Sequence, residues 1–140
     1  CSQKDSFAIG KSTLLREGSD ACIITTGTMA YEGITAADIL RKKYGINTRT
    51  LHMASVKPID KDAILKAASE TGRIVTIEEH TIIGGLGGAV AEIVSETVHA
   101  KVKRIGIKDH FCDISTPMCL LEKEGITAKG IVESILDILK

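Results

Sequence analysis

The chain has no excess of either charge, since 18 basic residues stand against 18 acidic ones. A sustained field of one sign is therefore missing, and with it the usual means of attracting a polyanion such as nucleic acid. No run of like charges marks a solvated tail. An apolar stretch of the roughly eighteen residues needed to cross a bilayer is also absent, and no membrane span is expected. The opening residues do not follow the basic-then-apolar order of a secretory signal. The four cysteines, Cys1, Cys22, Cys112 and Cys119, form no CxxC pair and no regular framework. They read as reduced thiols in a cytoplasmic protein, with Cys22 placed in an apolar strand where a small hydrophobe belongs. Internal repeats, low-complexity segments and a second domain boundary are likewise missing. Residues 1–140 read as one domain, long enough to bury a core without staples. The first residue is Cys1 rather than methionine, which suits a separate subunit and a piece of a longer chain equally.

What is present is an alternation of strand and helix signals. Ser12 to Arg16 predicts a short strand, turned by Glu17-Gly18-Ser19-Asp20 into the apolar strand Ala21 to Thr26. So brief a connection forces a reversal, and taken alone it suggests a hairpin. A helix is expected from Ala30 to Tyr44, with Ala30, Ile34, Ala37, Leu40 and Tyr44 on one face and Gly45 after it. Thr48 to Met53 is a strand, and Asp60 is the expected N-cap of a helix that buries Ala63, Ile64, Ala67 and Ala68. Arg73 to Ile77 and Lys103 to Ile107 complete the strands. Helices follow at Leu86 to Val98, after Thr116-Pro117, and from Thr127, the last burying Ile131, Ile135, Leu136 and Leu139. Strands joined through helices must run parallel, and right-handed crossovers then cover both faces of the sheet. The expected fold is a three-layer α/β/α domain.

The most informative stretch is Ile74 to Gly88. A β-branched run there ends at Glu78, Glu79 and His80, and Gly84, Gly85, Gly87 and Gly88 lead into a helix. Three titratable groups just beyond a strand's carboxyl end occupy the place where open α/β sheets put ligand and partner contacts. Glycines there let the backbone turn tightly and approach a neighbour. The bland reading, a Glu79–His80 hydrogen-bonding pair that pins the loop, competes with a functional contact.

Other motifs carry less. Gly10-Lys11-Ser12 looks like the end of a phosphate-binding loop, but the earlier glycine would fall at Asp5 and no strand precedes it. Gly85-Leu86-Gly87 begins like a dinucleotide fingerprint, yet its third glycine would be Val90, and Glu78 and Glu79 would repel a pyrophosphate. The unpaired amides of a helix N-terminus still leave a small anion as an option. His110, Cys112 and Cys119 match no common zinc spacing, and the simpler expectation puts Cys119 in a helix core and His110 in a loop.

Several segments in order resemble the C-terminal domain of transketolase-like enzymes. They are Phe7-Ala8-Ile9-Gly10-Lys11, Leu15-Arg16-Glu17-Gly18-Ser19-Asp20, Thr25-Thr26-Gly27, Gly45-Ile46, Lys57-Pro58-Ile59-Asp60, Thr76-Ile77-Glu78-Glu79-His80, Gly84-Gly85-Leu86-Gly87 and Gly106-Ile107-Lys108-Asp109-His110-Phe111. The resemblance spans essentially the whole chain. It implies a five-stranded mixed sheet of order 1-3-2-4-5 with the first strand antiparallel, which separates the two strands that the short turn would pair. The second and fourth strands then flank a crevice, with Gly27 and Thr28 on one lip and Glu79 and His80 on the other.

The resemblance also implies a thiamine-diphosphate enzyme that moves two-carbon ketol units between sugar phosphates. In that family the diphosphate and its magnesium sit on a first domain, and the glutamate that activates the cofactor sits on a second. This chain looks like the third, with no catalytic, cofactor or metal residue of its own. Its implied role is to pack against the N-terminal domains or subunit and to help build a homodimer, inactive when alone. Gly27, Thr28, Glu79, His80, Gly84, Gly85, Gly87 and Gly88 are the expected contact or ligand residues. The alternatives are the same domain of 1-deoxyxylulose-5-phosphate synthase, or of a keto-acid dehydrogenase E1β subunit with an acyltransferase partner, or a module that binds a small regulatory anion.

Overall fold

Alternation along the central strands sets the architecture of this computed structural model, which describes residues 8–140. In β2 (Ala21–Thr26), Ala21 and Ile23 point to one side of the sheet and Cys22 and Ile24 to the other, and all four are completely buried. In β4 (Arg73–Thr81), Val75 and Ile77 join the first side and Ile74 the second. A strand with both faces apolar must be covered twice. One cover is α1 (Ala30–Ile39) with α5 (Ala128–Ile138), and the other is α2 (Lys61–Thr71) with α3 (Leu86–Thr97). Each fully buried isoleucine contributes about 1.5–3 kcal/mol relative to exposure, so these two clusters supply most of the folding force.

With β1 (Ser12–Arg16), β3 (Thr48–Met53) and β5 (Lys101–Ile107), the five strands lie in the order β1-β3-β2-β4-β5. β1 runs antiparallel to β3, with Ser12 opposite Met53 and Leu14 opposite Leu51, and the other pairs are parallel. The turn before β2 therefore makes no hairpin. Its amides at Ser19 and Asp20 both bond the Asn47 carbonyl at 3.0 Å, and Asp20 accepts from the Asn47 amide at 2.7 Å. The start of β3 is thus tied into the turn and enters between the two strands.

Caps fall where the residue types placed them. Asp60 accepts from the Ala63 amide at 3.2 Å, Thr116 from Cys119 at 3.4 Å at the start of α4 (Pro117–Lys123), and Thr127 from Gly130 at 3.2 Å. Asp60 also accepts from the Ser12 amide and hydroxyl at 2.8 and 2.9 Å, which joins β1 to α2.

Several expectations need correcting. Regular helix ends at Ile39, and Leu40–Tyr44 continue as a wider π turn closed by Gly45 in the left-handed region. Its buried stripe is Gly33, Ala36, Ala37 and Leu40, while Tyr44 is half exposed beside the solvated Arg41, Lys42 and Lys43. Along α2, Thr71 rather than Ala63 joins the buried stripe. In α5 the buried residues include Val132 and Ile138, with Leu136 and Leu139 only partly covered. Cys119 does not enter a core, because the surface-bound α4 leaves it exposed. Cys22, Cys112 and Cys119 are all free thiols, and Cys1 lies outside the described residues, as do Asp5 and Phe7 of the N-terminal motifs. Among the described residues, no helix is long and apolar enough to cross a membrane.

Candidate functional site

The candidate site is assembled at the carboxyl ends of β2 and β4. β4 runs on to Thr81, so Glu78, Glu79 and His80 belong to the strand and not to a loop beyond it. Ile77 pairs with Ile105 and the next pairing is Thr81 with Ile107. The three residues 78–80 thus face Gly106 alone, an irregularity that bends the strand and aims its side chains apart. Continuing the alternation from Ile74 through Thr76 carries Glu78 to the α3 side of the sheet.

There Glu78 is completely buried. Its Oε2 accepts from the Leu86 amide at 2.6 Å, its Oε1 from the Gly87 amide at 2.9 Å, and the His80 Nε2 lies 2.8 Å from Oε2. The first amides of a helix need outside partners, and Gly85 at the cap position has no side chain to offer. Glu78 serves as the missing cap from another element, with the helix dipole favouring its charge. Burying a carboxylate is costly unless it is paired, and here both oxygens are engaged. Gly85 is required at the contact, since a Cβ there would collide with the Glu78 carboxylate and stand 2.5 Å from the His80 Nε2.

Glu79 points the other way, to the exposed lip. Its Oε2 accepts from the Thr28 hydroxyl at 2.5 Å, which bridges the turn after β2 to β4 across the crevice. Gly27, in the left-handed region at φ +57°, leaves room for the same carboxylate. Beside this bridge an open apolar groove of about 730 Å³ lies between α1 and α4, with Met29, Tyr31, Met118, Leu121 and Ile126 among its walls.

The expected residues therefore fall into two adjoining groups. Gly27, Thr28 and Glu79 form the bridge, and His80, Gly85 and Gly87 surround Glu78, while Gly84 turns the chain ahead of them in the left-handed region at φ +75°. Gly88 joins neither, with nothing within 4 Å of the place a Cβ would take. The pair that pins the loop is Glu78–His80 and not Glu79–His80. Glu78 is the residue that sequence reasoning passed over, though the period of two from Ile74 to Thr76 pointed to it.

What this arrangement can do chemically is hold shape and present a surface. The amides that would receive a diphosphate at the start of α3 are already bonded to Glu78, and Glu79 fills the opposite lip. The site's own residues thus do not fit a thiamine diphosphate group. A separate cluster of metal-capable atoms, in His110, Cys112 and Glu124, lies after β5, with Cys119 not among its members.

Comparison with known proteins identifies the family. Residues 10–131 match the family model described as the transketolase C-terminal domain. A 6-deoxy-6-sulfo-D-fructose transketolase subunit from Clostridium sp. (strain MSTE9) is 42% identical over 133 residues, covering 95% of this chain and 41% of the relative. A 1-deoxy-D-xylulose-5-phosphate synthase from Heliobacterium modesticaldum is 44% identical over 124 residues, covering 88% of this chain and 19% of the relative. Among solved structures, a split gene transketolase described as an inactive beta4 tetramer superposes with a TM-score of 0.94 at 42% identity, over 99% of this chain and 45% of that one. The chain spans less than half the length of each of these relatives. With the sheet order, the antiparallel first strand and the match in agreement, this chain belongs to the transketolase C-terminal domain family.

Proposed function

We propose that the chain serves as the C-terminal part of a transketolase-type enzyme that transfers two-carbon ketol units between sugar phosphates, and that its work there is assembly. The observation that carries this reading is the buried Glu78, which fixes the start of α3 and leaves the Glu79–Thr28 bridge, His80 and Gly84 as a preset outer surface. A surface ordered before contact loses little entropy on docking. N-terminal transketolase domains, or a separate N-terminal subunit, are the partner in this reading, and they hold the thiamine diphosphate and magnesium. Misplacement of about 1 Å at an active site can cost on the order of a hundredfold in rate, so a bracing domain can govern turnover without touching substrate. Self-association into a homodimer within the assembled enzyme, and inactivity in isolation, belong to the same proposal. Support comes from the split-gene relative, whose β-only tetramer is described as inactive. Reduced thiols at Cys22, Cys112 and Cys119 suit a cytoplasmic setting.

The test is reconstitution with the N-terminal portion, comparing wild type with His80→Ala. Weaker assembly or slower ketol transfer is expected. Unchanged assembly together with unchanged turnover would refute the role given to this surface. A second reading, the equivalent domain of a 1-deoxyxylulose-5-phosphate synthase, is favoured by the 44% identity to such an enzyme. Supplying the reconstituted complex with pyruvate and a triose phosphate, in parallel with a ketose phosphate donor, separates the two by which product forms.

A further inference from the structure

Outside the crevice, the segment between β5 and α4 and the end of α4 bring together three side chains with no part in the assembly surface described above. His110, Cys112 and Glu124 each offer one ligand atom, and these atoms lie within 4.8 Å of one another. The His110 Nε2 is 3.1 Å from the Glu124 Oε2. On the other side of the ring, Nδ1 stands 3.3 Å from the Phe111 carbonyl oxygen. On binding, Nδ1–H donates to that carbonyl, and Nε2, whose proton bonds the Glu124 carboxylate before the ion enters, gives that proton to solvent and turns its lone pair toward the ion. Metal-ligating histidines are held in this way, with the second nitrogen donating to a backbone carbonyl or carboxylate.

We propose that His110, Cys112 and Glu124 bind a zinc-class divalent ion, with the fourth tetrahedral position open to water. Metal–nitrogen, –oxygen and –sulfur bonds of about 2.0 to 2.3 Å place tetrahedral ligand atoms about 3.3 to 3.8 Å apart. The three atoms reach that spacing by a shift of about 1 Å in side chains that are exposed or only partly buried. Cys112 gives up its thiol proton to solvent on binding. Thiolate and carboxylate together then cancel the ion's two positive charges, and the site is neutral. Imidazole and thiolate select zinc over magnesium, which takes oxygen ligands. The site is thus chemically distinct from any that holds a magnesium diphosphate. Its mechanical effect is to clip the 108–116 segment to the end of α4. Phe111 and Ile114 on that segment are wholly exposed and contribute no packing to hold it.

The experiment is a cobalt(II) titration of the reduced, chelator-treated protein in a Cys1→Ser, Cys119→Ser background, in which Cys112 is partly accessible and Cys22 is buried. One equivalent of cobalt should produce a thiolate-to-cobalt charge-transfer band with the intense visible absorption of four-coordination, and one equivalent of zinc should abolish it. Cys112→Ser should lose the band, and His110→Ala and Glu124→Gln should each weaken binding at least tenfold, with far-UV circular dichroism reporting an intact fold. An absent band, a band that persists in Cys112→Ser, or one that zinc fails to displace would overturn the proposal. Because the titration of this parent protein already decides whether the band forms and whether zinc displaces it, a variant that folds poorly does not protect the idea.

Discussion

Replacing Gly85 with alanine tests the central claim that a buried carboxylate organises the glycine loop. Gly85 has φ −100° and ψ −158°, an extended conformation open to any residue, so backbone strain contributes nothing. The whole effect comes from the added methyl, which would land on the Glu78 carboxylate. Glu78 is completely buried, and moving clear of the methyl takes it off the Leu86 and Gly87 amides, now 2.6 and 2.9 Å away. Hydrogen bonds to a charged group contribute roughly 1.5–3 kcal/mol each, and the freed groups remain buried. A loss of roughly 3–5 kcal/mol follows, about 10 °C or more in Tm for a domain of this size. Gly88 supplies the internal control three residues along, since alanine there meets nothing within 4 Å. On helix propensity alone Gly88→Ala should stabilise by roughly 0.5–1 kcal/mol. Urea unfolding followed by far-UV circular dichroism reads both variants on one scale. A Gly85→Ala protein within about 1 kcal/mol of wild type, or a Gly88→Ala protein destabilised as much as Gly85→Ala, would refute the reasoning.

Asp60→Ala removes the cap of α2 and the tie to Ser12 together, and should cost roughly 2–4 kcal/mol in the same assay. Burial alone would raise the Asp60 carboxyl, but the Ser12 and Ala63 amides, the Ser12 hydroxyl and the nearby Lys11 outweigh it and hold it below its ordinary value. Its stabilising contribution is therefore complete above the ordinary carboxylate range near pH 4 and is lost as pH falls through the lowered folded value. Asp60→Asn should flatten the acid limb of the stability–pH curve, and an unchanged limb would exclude Asp60 as its source. Burial pushes the Cys22 thiol up to about 12, against a smaller opposing effect of Arg49. Peptide mapping after alkylation at neutral pH should find Cys112 and Cys119 modified and Cys22 protected in native protein, with Cys22 reacting only on unfolding. Because Glu79 already occupies the lip opposite Gly27 and Thr28, titration with inorganic phosphate or sugar phosphates should leave the amide signals of Gly27, Thr28 and Gly85 unmoved. Saturable shifts there would restore the small-anion reading.

Local spacing and residue type were enough for the parts of this protein that neighbours along the chain decide. β1, β2 and β3 fall within the bounds that their turn signals and β-branched runs set, and Asp60, Thr116 and Thr127 cap the helices they precede. Such features depend on contacts a few residues apart, and a side chain carries that information with it. Strand order is different: a short turn between β1 and β2 is compatible with a hairpin, and only the Asn47 bonds and the resemblance place β3 between them. The same limit explains the site. Glu78 and Glu79 are adjacent and identical, and what divides their roles is the alternation of the strand and the irregular pairing at Gly106. These send one into a dry helix cap and the other to an exposed bridge with Thr28, 51 positions away in sequence. The sequence by itself determined which elements form and where they start. Tertiary structure decided that the face the alternation gives Glu78 is a buried one, because burial depends on what the rest of the chain packs over it.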